Sequence, residues 1–117
     1  MTGPARRIDA HQHFWKVDRG DYGWLTSDLG PLYRDFEPEH LAPLLKAHGV
    51  FGTILVQAAP TEAETAFMLS LAETHDIILG VVGWADFDSQ QAPQRILELC
   101  SHPKLVGLRP MIQDIED

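Results

Sequence analysis

The run Val50-Phe51-Gly52-Thr53-Ile54-Leu55-Val56-Gln57 constrains the fold most. It is largely apolar and β-branched and lacks the apolar–polar alternation of a strand with one wet face. It therefore reads as a strand buried on both sides, the kind found in parallel sheets covered by helices. Three further short runs read as strands: Arg7–His11, Ile77–Gly83 and Lys104–Leu108.

The segments between them carry helical signals. Glu37-Pro38-Glu39 opens a helix with proline in its first turn and acids beside it. Leu41, Leu44, Leu45 and His48 follow on one face, and Gly49 ends it. Pro43 inside this pattern is expected to kink the helix or delay its regular part. Thr61-Glu62-Ala63-Glu64 reads as a capping box, with Phe67, Met68, Leu71 and Ala72 as the buried stripe behind it. Asp88 or Ser89 is expected to cap a third helix, with Pro93 in its first turn and Ile96, Leu97, Leu99 and Cys100 as its apolar residues. The order β-α-β-α-β-α-β predicts right-handed crossovers and an α/β fold with a parallel sheet. Four strands do not close a barrel, which needs eight strands and about 250 residues.

Before the first helix lies a long stretch, Gln12 to Phe36, rich in glycine and in Trp15, Tyr22, Trp24 and Tyr33. Loops of this length inside a compact domain tend to be functional. Its aromatics either pack the loop down or line a pocket.

Charge and composition exclude several roles. The formal net charge of the 117 residues is -8, which leaves no basic footprint for nucleic acid. The single cysteine, Cys100, rules out an internal disulfide framework and reads as a buried small hydrophobe. No stretch approaches the roughly 20 apolar residues of a membrane span, and the first residues lack a signal-peptide pattern. These features predict a soluble cytoplasmic protein.

In parallel α/β folds, function sits where strands end. Sorted by that rule, the first strand delivers His11 and His13, the second Gln57, the third Trp84 and Asp86, and the fourth Arg109 and Gln113. In a strand, residues two apart share a face, so His11 and His13 present both imidazoles to one side. Such a pair suits a divalent metal, which polarises a carbonyl or lowers the pKa of bound water toward about 7. The spacing alone is also met by histidines with no metal role. Arg109 suits a substrate carboxylate or hydroxyls, or equally a structural salt bridge. Asp86 reads as a turn residue before a base. His40, His48, His75 and His102 fall on helices or helix ends and read as surface or capping groups.

Four motifs in order, Ile-Asp-Ala-His-Gln-His-Phe-Trp, Val-Gln-Ala-Ala, Gly-Val-Val-Gly-Trp-Ala-Asp and Lys-Leu-Val-Gly-Leu-Arg-Pro-Met-Ile-Gln-Asp, resemble the amidohydrolase superfamily. More narrowly, they resemble its sugar-lactonase branch, and the likeness runs from Arg7 to Asp117. The resemblance implies an N-terminal single domain, 1–117, forming the first four βα units of a (β/α)8 TIM barrel. It implies a divalent metal, often zinc, held in part by His11 and His13, and a small lactone or ester as substrate. Some members of the branch work without a tightly bound metal. Arg109 matches a substrate-facing arginine; the strand-end residues Gln57 and Trp84 are expected to shape the substrate pocket with it. The family's further histidines and its aspartate base lie on later strands, so the catalytic base is expected beyond Asp117. A half barrel would expose two sheet edges, open to the rest of a longer chain, to a partner or to a second copy.

Overall fold

A computed structural model describes residues 5–112. Gln113, assigned to the strand ends from sequence, lies outside them. Strands β1 (Arg7–Gln12), β2 (Val50–Val56), β3 (Ile78–Gly83) and β4 (Leu105–Leu108) alternate with helices α1 (Pro38–Ala47), α2 (Glu62–Thr74) and α3 (Ala92–Cys100). The strands form one sheet in the order β1-β2-β3-β4, and every adjacent pair is parallel. This is the alternating architecture expected, with β1 and β4 at the edges.

The main core lies between the sheet and α2. Leu55, Ile78 and Val81 meet Met68, Leu69 and Ala72, and Phe14 closes the cluster. The neighbouring strands β2 and β3 approach closely at Gly52. A Cβ on Gly52 would stand 2.7 Å from Leu79 Cγ and 2.8 Å from the Ile77 carbonyl oxygen. Gly49 ends α1 at φ 67°, a left-handed conformation that glycine adopts without cost. α1 runs from Pro38 through Pro43 to Ala47; Pro43 is exposed, and the helix is neither delayed nor interrupted.

The outer flanks differ from expectation. Leu45 is buried, but its stripe partner Leu44 is 57% exposed. On α3, Leu99 is buried while Leu97 is 75% exposed and Cys100 is exposed rather than a core hydrophobe. Helical period placed these residues on an apolar face, but α1 and α3 stand at the two ends of the arc. Among the described residues, no further helix covers those flanks. α3 also begins later than expected, at Ala92 after Gln91, and neither Asp88 nor Ser89 caps it directly. Ser89 Oγ instead accepts from the Gln91 N–H at 3.1 Å, shaping the turn before the helix.

The long loop is pinned by one carboxylate. Thr61 Oγ1 accepts from the Glu64 N–H at 3.0 Å, the first half of the expected capping box. The second half is absent, because the Glu64 side chain turns inward. Glu64 is 0% exposed. Its Oε1 accepts from Arg19 Nη1 at 2.7 Å and from the Tyr22 hydroxyl at 2.9 Å. Arg19 also pairs with Asp21 at 2.8 Å and lies over the Phe67 ring. Trp15 ties the loop's two ends by backbone bonds to Phe36 and by its indole N–H to the Arg34 carbonyl at 2.8 Å. Trp15 also stacks edge-on against Trp24 at 5.0 Å.

Two outcomes follow. Gly52→Ala forces its new methyl into Leu79 and the β3 backbone, and overpacking of this kind costs about 1–3 kcal/mol; denaturant unfolding should show a lowered midpoint with an unchanged slope. Burial, and then the Glu64 charge, raise the Tyr22 pKa well above its ordinary value. The unfolded chain therefore loses that proton first. The associated stability is complete below about pH 10 and falls above it by about 1.4 kcal/mol per pH unit. Tyr22→Phe should flatten the alkaline fall in stability by one proton's worth; an equal slope in both chains would contradict this.

Candidate active site

His11 and His13 leave the end of β1 on the same side. Their ring centroids are 5.0 Å apart and the rings are nearly perpendicular. His13 Nδ1 lies 2.7 Å from the Val56 carbonyl oxygen at the end of β2. A carbonyl only accepts, so Nδ1 carries the hydrogen and the Nε2 lone pair is free to bind a ligand. Burial lowers the His13 pKa below its usual value; the Val56 bond opposes this, and the positive charges available at His11 and Arg109 reinforce it. The shift favours the neutral imidazole, the form a metal requires.

Arg109 follows β4, where its N–H donates to the Gly83 carbonyl of β3 at 3.0 Å. Its guanidinium turns toward β2. Nε donates to Gln57 Oε1, and Nη2 donates to the Gln57 carbonyl at 2.8 Å. Among the described residues it pairs with no carboxylate. Gln57 is fully buried, and its Nε2 donates to the Ala59 carbonyl at 3.0 Å. Its amide therefore faces protein on both sides and braces Arg109.

Trp84 is fixed at the end of β3 by one hydroxyl. Thr65 Oγ1 donates to the Trp84 carbonyl at 2.8 Å and accepts from the Trp84 N–H at 2.9 Å. Trp84, Trp24, Phe87, Met111, Asp21 and Asp86 line a cleft of about 880 Å³ beside the ends of β3 and β4. The loop aromatics thus serve both expected purposes: Trp15 packs the loop and Trp24 lines the cleft. Trp24 is itself held by its indole N–H on the Ala58 carbonyl at 2.7 Å. Asp86 Oδ1 accepts from the Asp88 N–H at 3.1 Å, as a turn residue does.

The remaining histidines stay away from the mouth. His40 Nδ1 accepts from the Glu37 N–H at 3.0 Å, a cap for α1. His75 meets Glu39 and His102 meets Glu73, both on the helical layer. Among the described residues, no group of three or more His, Cys, Asp or Glu converges to hold a metal. The donor set fits a metal only in part: two imidazoles, one with a fixed tautomer, and further ligands needed. Sequence reasoning missed Arg19 and Glu64. The Arg19–Glu64 pair spans 45 positions, and only the inward turn of a residue read as a cap reveals it.

Comparison with known proteins agrees with this geometry. The amidohydrolase family profile matches residues 8–115. An L-fucono-1,5-lactonase of Burkholderia ambifaria is 45% identical over 111 residues, covering 95% of this chain and 38% of the relative. One of Burkholderia multivorans is 42% identical over 113 residues, covering 97% and 38%. A crystal structure of an amidohydrolase from Burkholderia multivorans with bound zinc superposes with a TM-score of 0.87 at 42% identity, over 97% of this chain and 39% of that one. The chain thus spans well under half the length of these relatives. Its four parallel strands and their helices are the first βα units of a (β/α)8 TIM barrel, and the chain belongs to the amidohydrolase family.

Proposed function

We propose that this chain contributes one half of the active site of a metal-assisted lactonase, which opens a sugar-acid lactone or a similar cyclic ester. The observation that carries the reading is the His11–His13 pair, its ring centroids 5.0 Å apart and His13 Nδ1 held 2.7 Å from the Val56 carbonyl oxygen, which turns Nε2 away from that bond. The relatives named L-fucono-1,5-lactonase, and the neighbour crystallised with zinc, point the same way.

His11 and His13 would hold the metal, with zinc the best match. A bound divalent ion supplies Lewis acidity to a carbonyl and to water. Arg109 binds the substrate's carbonyl or hydroxyl oxygens through the edge that Gln57 leaves free, Nη1 first. Gln57 acts by orienting that guanidinium, and Trp84 forms the wall of the substrate pocket. The base that takes a proton from the attacking water belongs to later strands of the barrel. The 1–117 unit is then the N-terminal part of the domain and is inactive alone. The reaction belongs in the cytoplasm, in keeping with an exposed free thiol at Cys100. Among the described residues no helix is long and apolar enough to cross a membrane, and the acidic charge disfavours nucleic acid.

A second reading is a non-catalytic role through partner binding or self-association. It is favoured by Ile8 at 49% and Val106 at 61% exposure on the two edge strands. Light scattering separates the readings: a stable dimer favours edge pairing, and a monomer counts against it.

The decisive assay compares lactone hydrolysis and zinc content of the 117-residue chain with those of a chain extended through eight strands. The extended chain should turn over lactone, and the short one should not exceed the buffer rate. His11→Ala or His13→Ala in the extended chain should weaken zinc binding by at least about tenfold. Turnover by the short monomer would contradict the proposal.

A further inference from the structure

We propose that Glu64 is a positioning residue for Arg109, acting through the single peptide group between Gln57 and Ala58. That peptide is gripped at both ends. Its N–H donates to Glu64 Oε2 at 2.7 Å, and its C=O accepts from Arg109 Nη2 at 2.8 Å. A carboxylate thus stands at the donor end of one peptide dipole and a guanidinium at its acceptor end. Each charge polarises the peptide in the sense that strengthens the other bond. The plane of this peptide fixes where its carbonyl points, and the carbonyl holds the guanidinium while Gln57 Oε1 holds Nε.

The two oxygens of Glu64 divide the work. Oε1 serves the loop through Arg19 and Tyr22. Oε2 serves the peptide alone among the described residues. The pocket wall joins the same unit, because the next carbonyl, that of Ala58, accepts the Trp24 indole N–H. A carboxylate that touches no substrate therefore sets both the arginine at the mouth and one wall of the cleft. The functional weight of this arrangement rests on Arg109 meeting substrate; the chain of bonds itself does not.

The test is hydrogen exchange read by NMR at the Arg109 Nε–H, the Ala58 N–H and the Trp24 indole N–H, each referred to the core amides of Leu55 and Ile78. In the unaltered chain the three should open together. In Glu64→Gln, which keeps shape but loses charge, exchange at Arg109 Nε–H should accelerate by about tenfold relative to the core, the worth of one charge-assisted bond. Arg19→Gln, which breaks only the loop side, should leave the Arg109 ratio unchanged. If Glu64→Gln and Arg19→Gln release Arg109 equally, or neither does, Glu64 is a structural residue only and the proposal is overturned. Where a variant fails to fold, independent opening of Ala58 and Arg109 in the unaltered chain overturns it as well. Absence of lactone hydrolysis in the extended chain would defeat the lactonase reading and leave these exchange ratios unaffected.

Discussion

A fully buried carboxylate organises the mouth of this sheet. Stripping water from Glu64 costs several kcal/mol, and burial accordingly raises its pKa. The cost is offset only because a guanidinium, a phenol and a peptide N–H all converge on it. Those three donors come from the loop and from the end of β2. The carboxylate therefore holds together parts of the chain that hydrophobic burial alone would leave loosely placed. Removing one partner from such a group typically costs more than the pair contributes, because the charge is left buried without it.

The second constraint is the open arc. Each parallel strand exits onto the same rim, so bonds across the rim tie neighbours in sequence: His13 to Val56, Gln57 to Val82, Arg109 to Gly83. The rim is thus stiffened without closure of the barrel. The sides are another matter. The edge strands and the outer faces of α1 and α3 carry exposed apolar residues, a pattern that soluble domains seldom keep uncovered. The zinc-bearing relative superposes over only 39% of its own length.

Much of this was legible in sequence. Strand and helix order followed from period and punctuation, because the β2 run and the α2 stripe are strong local signals. The shared side of His11 and His13 followed from the two-residue repeat of a strand. What period could not give was the neighbour list. Leu44, Leu97 and Cys100 sit at helical positions that bury when another helix is alongside, and their exposure depends on its absence among the described residues. The inward turn of Glu64 escaped for a different reason. A capping glutamate and a buried counterion for Arg19 look identical in one dimension, since the choice is made by contacts 45 residues apart.

The central claim is that the imidazoles of β1 share one mouth with the groups ending β2, β3 and β4. Titrating the chain with a paramagnetic divalent ion such as Cu(II), while recording NMR spectra, tests it directly. The account predicts early broadening at His11 and His13, then at the Arg109 Nε–H and the Trp84 indole. Signals of His48, His75 and His102 on the helical layer should persist. Broadening that begins at those helical histidines, or that spares Arg109 while erasing His13, would contradict the account.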